Sequence, residues 1–153
     1  MGMSSPRGEA ANPLRSDPEQ EASPGMAKDP TRTVLVVDDD ASVLRVAAKV
    51  LQRGGYDVVK ANSGVEALKL ADEAEGKLDL LLTDVVMPGM NGRELSEALS
   101  ARYPDVRVLF MSGYTEDDVI LQGVRVADVN FISKPFTVEG LREKVRLLLD
   151  QAL

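Results

Sequence analysis

From Thr31 onward, apolar residues alternate between short continuous runs and helical spacing. Residues 34–37 (Val-Leu-Val-Val) are an unbroken apolar run, the mark of a strand buried on both faces. Leu44, Ala47, Ala48 and Leu51 then recur on one face of a helix, which Gly54 and Gly55 stop. Residues 56–61 read as a second strand. Ser63 and Glu66 have the spacing of a capping box for a second helix ending near Gly76. Residues 80–82 (Leu-Leu-Leu) are a third strand, and residues 93–103 a third helix closed by Pro104. Residues 106–111 are a fourth strand, and residues 117–123 a short fourth helix. Residues 130–133 are a fifth strand. Thr137 caps a last helix with Val138, Leu141, Val145 and Leu148 on its apolar face.

Five strand–helix units of this length imply right-handed crossovers and a parallel sheet covered on both faces, an α/β fold. Ligands of such sheets bind at the carboxyl ends of the strands.

The first 30 residues break this pattern. They hold Pro6, Pro13, Pro18, Pro24 and Pro30, no aromatic residue, and Leu14 alone from the Val/Ile/Leu/Phe set. Such a segment buries too little apolar surface to offset its ordering entropy, so residues 1–30 are expected to be a disordered leader or linker. It has no apolar stretch of a signal peptide. Residues 31–153 are expected to be one folded domain.

Composition narrows the chemistry. The 153 residues include no Cys and no His. Disulfides, thiolate metal sites, His-ligated zinc and Ser-His-Asp triads are therefore excluded. With 18 basic against 25 acidic residues the net charge is −7, which disfavours nucleic acid and anionic membrane surfaces as partners. The apolar runs are too short to span a membrane.

The remaining chemistry gathers at the strand ends. The first strand ends in Asp38-Asp39-Asp40, the third in Thr83-Asp84, the fourth in Ser112-Gly113 and the fifth in Lys134-Pro135. Crowded carboxylates repel one another, and a hard divalent cation such as Mg²⁺ resolves that conflict. Lys134 supplies a positive charge and Ser112 a hydroxyl, both suited to a phosphoryl group. A carboxylate can also attack phosphorus to form an aspartyl phosphate. Asp84 is the best candidate, because it ends the central strand and precedes a loop with Pro88, Gly89 and Gly92. Taken singly, each feature also has a structural reading. The Asp triplet makes a helix cap, Ser112 a turn, Phe131 a core aromatic, and Arg142, Lys144 and Arg146 a solvated helix face.

Together, residues 34–40 (VLVVDDD), 81–92 (LLTDVVMPGMNG), 111–114 (MSGY) and 131–136 (FISKPF) resemble a response-regulator receiver domain over about residues 32–150. The resemblance implies a doubly wound, flavodoxin-like sheet of order 2-1-3-4-5. It implies that Asp84 accepts a phosphoryl group from a phosphohistidine on a sensor histidine kinase or histidine phosphotransfer protein. Asp38, Asp39, Asp84 and the Val86 carbonyl would hold Mg²⁺, for which Mn²⁺ can substitute. Ser112 and Lys134 would contact the phosphoryl group, and Phe131 would be the switch aromatic. The Lys134-Pro135 bond would be cis. Val86 and Tyr114 occupy positions where receivers vary and which tune phosphoryl lifetime. The blocks at 111–117 and 133–137 are most similar to receivers of hybrid sensor kinases.

The expected function is thus a cytoplasmic signalling switch that catalyses only its own phosphorylation and dephosphorylation. Its output, and a possible homodimer contact, would use the face of the fourth helix, fifth strand and fifth helix. No output domain follows the last helix, which suits a stand-alone regulator or an excised receiver. Two alternatives remain at this point. One is a haloacid-dehalogenase-like phosphohydrolase with Asp38 as nucleophile, and the other a docking module independent of phosphate.

Overall fold

A computed structural model describes residues 31–74, 76–113 and 130–150. The expected leader (1–30), the expected fourth helix (117–123) and Tyr114 lie outside these residues. Five parallel strands form one sheet: β1 (Thr33–Val37), β2 (Asp57–Ala61), β3 (Leu80–Asp84), β4 (Arg107–Ser112) and β5 (Phe131–Ser133), in the order β2-β1-β3-β4-β5. Helices α1 (Ala41–Arg53), α2 (Gly64–Asp72) and α3 (Gly92–Arg102) and a C-terminal helix (Val138–Asp150) connect and cover the strands. The order reverses between β1 and β3, which places the ligand edge where those two strands end.

Strand alternation divides the core between the two faces. Val34 and Val36 of β1 join Leu80, Leu82, Leu109 and Met111 beneath α1 and the C-terminal helix, which contribute Leu51, Leu141 and Val145. Leu35 and Val37 join Leu81 beneath α2 and α3, which contribute Ala67, Ala71, Leu95 and Leu99. All five residues of β1 and of β3 are buried, so the continuous apolar runs are the sheet's centre. Truncating a fully buried leucine here, such as Leu82→Ala, costs about 2–5 kcal/mol.

Local capping differs from the sequence reading at α2. The Ser63 hydroxyl accepts from the Glu66 amide at 3.1 Å, but the Glu66 carboxylate turns back one residue further, to the Asn62 amide at 2.6 Å. The reciprocal box is therefore only half formed there. It is complete at α3, where Asn91 and Glu94 satisfy each other's backbone amides. Helix α2 also stops at Asp72 rather than near Gly76, because the Glu73 and Ala74 amides close a tighter turn onto Leu70 and Ala71. Helix α3 starts one residue earlier than expected, at Gly92. Thr137 caps the C-terminal helix as expected, its hydroxyl accepting from the Gly140 amide at 2.9 Å.

Two arginines from outside the C-terminal helix satisfy its last carbonyls. Arg32 donates to Leu149 O and Arg107 to Leu148 O, each at 3.1 Å. The helix has no basic residue in its own last turn, so Arg107 of β4 and Arg32, just before β1, supply the charge that its dipole favours.

Candidate functional site

The parallel register places all four strand ends on one edge. Val37 pairs with Thr83, so Asp38 follows the end of β1 at the level of Asp84, the last residue of β3. Asp84 pairs with Met111, so Ser112 lies one residue further along; Ser112 pairs with Ser133, and Lys134 follows directly after. Chain continuity and β-pairing thus bring together residues separated by up to 96 positions.

The three aspartates at the end of β1 have separate environments. Asp38 is fully buried. Its Oδ1 accepts from the Asp40 amide at 2.9 Å, and its Oδ2 accepts from the Lys134 ammonium at 3.0 Å. Asp39 is exposed. Asp40 is the N-cap of α1: its carboxylate accepts from the Ser42 hydroxyl and from the Ser42 and Val43 amides, bonds that hold its pKa below the usual range. The triplet therefore divides into a buried ion pair, an exposed carboxylate and a cap.

Asp38, Asp39 and Asp84 each present a carboxylate oxygen, all within 4.8 Å of one another. Asp84 is buried at the end of β3. Burial, then the negative charge of Asp38, push its carboxyl up to about 6, against the pull of Lys134. Lys134 reaches Asp84 Oδ1 at 3.5 Å as well as Asp38. Burial works against that ammonium, but its bond to Asp38 and the charges of Asp84 and Asp38 outweigh burial and raise its pKa. Lys134 thus bridges two of the three clustered carboxylates. The donors are all hard oxygens with an excess of negative charge, which is what a divalent cation with oxygen preference requires.

Ser112 is fully buried at the end of β4, and its carbonyl accepts from the Lys134 amide at 2.8 Å. The Lys134-Pro135 peptide is cis. Val86 is half-buried in the loop after β3. Phe131 is 7% exposed and packs with Val85 and Phe110, so its ring is already inside in this state. Beside Lys134 runs an apolar groove of about 200 Å³, lined by Ser42, Val43 and Val46 of α1 and by Lys134, Pro135 and Phe136.

The sequence reading missed the backbone support beneath Asp84. The Thr83 hydroxyl donates to the Asp84 carbonyl at 3.0 Å, and the Gly92 amide donates to the Val85 carbonyl at 2.8 Å. The available signal was a glycine directly after the Asn91 cap, a place where a helix gains nothing from glycine's freedom.

The profile of the response regulator receiver domain family matches residues 34–146. The chain belongs to that family. It is similar to the sensor kinase CckA of Brucella abortus, with 39% identity over 119 residues, covering 78% of this chain and 13% of CckA. It is also similar to sporulation initiation phosphotransferase F of Bacillus subtilis, with 28% identity over 116 residues, covering 76% of this chain and 92% of that protein. A crystal structure of the receiver domain from the hybrid histidine kinase CckA superposes with a TM-score of 0.65 at 36% identity, covering 77% of this chain and 99% of that one. The chain thus spans a small part of the CckA relative and nearly all of the sporulation protein. A receiver is a signalling switch, which displaces the phosphohydrolase alternative. No helix among the described residues is long and apolar enough to cross a membrane.

Proposed function

We propose that Asp84 is the phosphoryl acceptor of this receiver and that a protein phosphohistidine is the donor. The observation that carries the reading is the Lys134 ammonium bridging Asp38 and Asp84 within the gathered carboxylates of Asp38, Asp39 and Asp84. Asp38, Asp39, Asp84 and the Val86 carbonyl would hold Mg²⁺, or Mn²⁺ in its place. Bound there, the ion would neutralise the carboxylates and the phosphoryl oxygens.

The residues of this chain divide the remaining work. A carboxylate oxygen of Asp84 forms the new bond to phosphorus while the nitrogen–phosphorus bond of the donor breaks, and the imidazole leaves with its electron pair. Lys134 is close enough to Asp84 to follow the transferred oxygens, and the Ser112 hydroxyl donates to another of them. Val86 and Tyr114 are too apolar or too bulky to direct water at the product and so set its lifetime. The protein catalyses only this transfer and the hydrolysis of the aspartyl phosphate it forms.

The groove between α1 and the segment 134–136 shares Lys134 with the acid site, so a donor helix seated there would bring its histidine to Asp84. Output, and any homodimer, would use the face of the fourth helix, β5 and the C-terminal helix. Phe131 already packs inward, so its role would be to hold that packing. Residues 1–30 would serve as a leader or linker, and donor and receiver would meet in the cytoplasm. Incubation with Mg²⁺ and acetyl phosphate, read by intact mass, tests the acceptor; an unmodified wild-type protein would refute it.

A further inference from the structure

The loop of residues 85–91 joins the acceptor strand to α3 and contains the Val86 carbonyl. Its first residue is held on two sides. The Val85 amide donates to Met111 O of β4 at 3.1 Å, and the Val85 carbonyl accepts from the Gly92 amide at 2.8 Å. The Asp84 carbonyl accepts from the Thr83 hydroxyl at 3.0 Å, and Thr83 is fully buried. Helix α3 begins directly on top of this unit. A Cβ on Gly92 would lie 2.3 Å from the Asp84 carbonyl oxygen and 3.0 Å from Val85 Cα. Both atoms are backbone, so no side-chain rotation could relieve the overlap, and the helix or the strand end would have to move.

The far end of the loop is anchored in a similar way on α2. Met90 packs over Gly64, where a Cβ would meet Met90 Sδ at 2.8 Å and its Cβ at 2.9 Å. Gly89, between the two anchors, has φ 74°, which a side chain disfavours. The loop is thus pinned at both ends on backbone that carries no side chain. Only the Met90 end is held by a side chain that can shift.

We propose that Gly92 is a positioning residue for the phosphorylation site. By letting α3 start against the Asp84 carbonyl, it fixes the peptide units of residues 84–86. It thereby fixes the direction of the Asp84 carboxylate and of the Val86 carbonyl. The inference rests on the reading of those two groups as acceptor and metal ligand. Gly92 touches neither the phosphoryl group nor the ion, and acts only through the backbone it supports.

The test compares Gly92→Ala, Gly64→Ala and Leu99→Ala in the full chain. Leu99 is a buried core residue of the same helix, remote from the loop's hydrogen bonds. Mg²⁺ affinity is read by calorimetry, phosphorylation by acetyl phosphate by intact mass, and backbone amide shifts by NMR without metal. Gly92→Ala should weaken Mg²⁺ binding about tenfold, slow phosphorylation in proportion and move the amides of residues 84–86. Gly64→Ala should have a smaller effect, because Met90 can adjust. Leu99→Ala should lower the melting temperature but leave Mg²⁺ affinity unchanged. Wild-type Mg²⁺ affinity in Gly92→Ala, or an equal loss in Leu99→Ala, would overturn the proposal. Should Gly92→Ala fail to fold, Thr83→Val and Thr83→Ser decide. Loss of affinity in the valine variant and its retention in the serine variant support the backbone clamp, and unchanged affinity in both overturns it. If the wild-type protein takes neither Mg²⁺ nor phosphoryl, the reading of the site fails. The metal-free amide shifts still decide the role of Gly92, since changes confined to residues 91–94 would contradict it.

Discussion

The Lys134 ammonium lies 3.0 Å from Asp38 and 3.5 Å from Asp84, closer to the neighbouring carboxylate than to the proposed acceptor. In this state it neutralises a fully buried Asp38 and shares what remains with Asp84. Substitution of Lys134 by Ala would leave both carboxylates uncompensated. Breaking a buried pair by removing one partner costs about 3–5 kcal/mol, and partial exposure of Lys134 places the expected loss at the lower end. Urea denaturation at neutral pH should show the loss, and saturating Mg²⁺ should restore part of it. Stability equal to wild type would mean that the pair contributes nothing.

Asp84 makes the metal-free domain pH-sensitive. Its carboxyl is raised from 3.8 to about 6, so between these values the folded state holds a proton that the unfolded chain has released. The contribution is fully present below 3.8 and is lost as pH rises through about 6. Over this window stability should fall by about 2–3 kcal/mol without metal. Asp84→Asn should abolish the fall and leave the metal-free protein more stable than wild type at neutral pH. Denaturation midpoints at several pH values check both. A wild-type curve that is flat or rises across the window contradicts the assignment.

Donor docking should be separable from chemistry. Val46 is 50% exposed on the groove wall and is none of the residues assigned to the phosphoryl group or the ion. Val46→Asp should slow transfer from a phosphorylated histidine kinase or phosphotransfer protein about tenfold or more, by placing an uncompensated charge in an apolar contact. Phosphorylation by acetyl phosphate should not change. Equal slowing with both donors would place the defect in the site and not in docking.

A phosphoryl mimic tests output. Beryllofluoride with Mg²⁺ should shift amides of residues 112–136 well beyond the acid loops, because Ser112 and Ser133 are paired across β4 and β5. Phe131 packs on Phe110 and Val85, so shifts should follow that cluster. Changes restricted to the loops carrying Asp38, Asp39 and Asp84 would exclude signalling through this face.

The strands and the residues that end them were legible because their signals are local and strong, whereas the strand order came from the family resemblance. Residues 34–37 read as a strand buried on both faces and 80–82 as a further strand; Asp38 follows the first at once, and Asp84 follows the second after Thr83. Ser112 and Lys134 were legible for the same reason. Parallel pairing converts position after a strand into position in space. The shape of the loop beneath Asp84 was not legible. The need for glycine at position 92 comes from the approach of α3 to Asp84 O, a through-space contact with no periodic trace. Ser63 and Glu66 had the right spacing for a reciprocal cap. The carboxylate nevertheless chose the Asn62 amide, because Glu66 can span either distance and only the local turn decides between them.

The central claim is that Asp84 is the residue that takes the phosphoryl group. Intact-mass measurement of wild type and Asp84→Asn, after incubation with Mg²⁺ and acetyl phosphate, tests it most directly. The account predicts one added phosphoryl group on the wild-type protein and none on the asparagine variant, with both proteins folded. Equal labelling of the two proteins would contradict it.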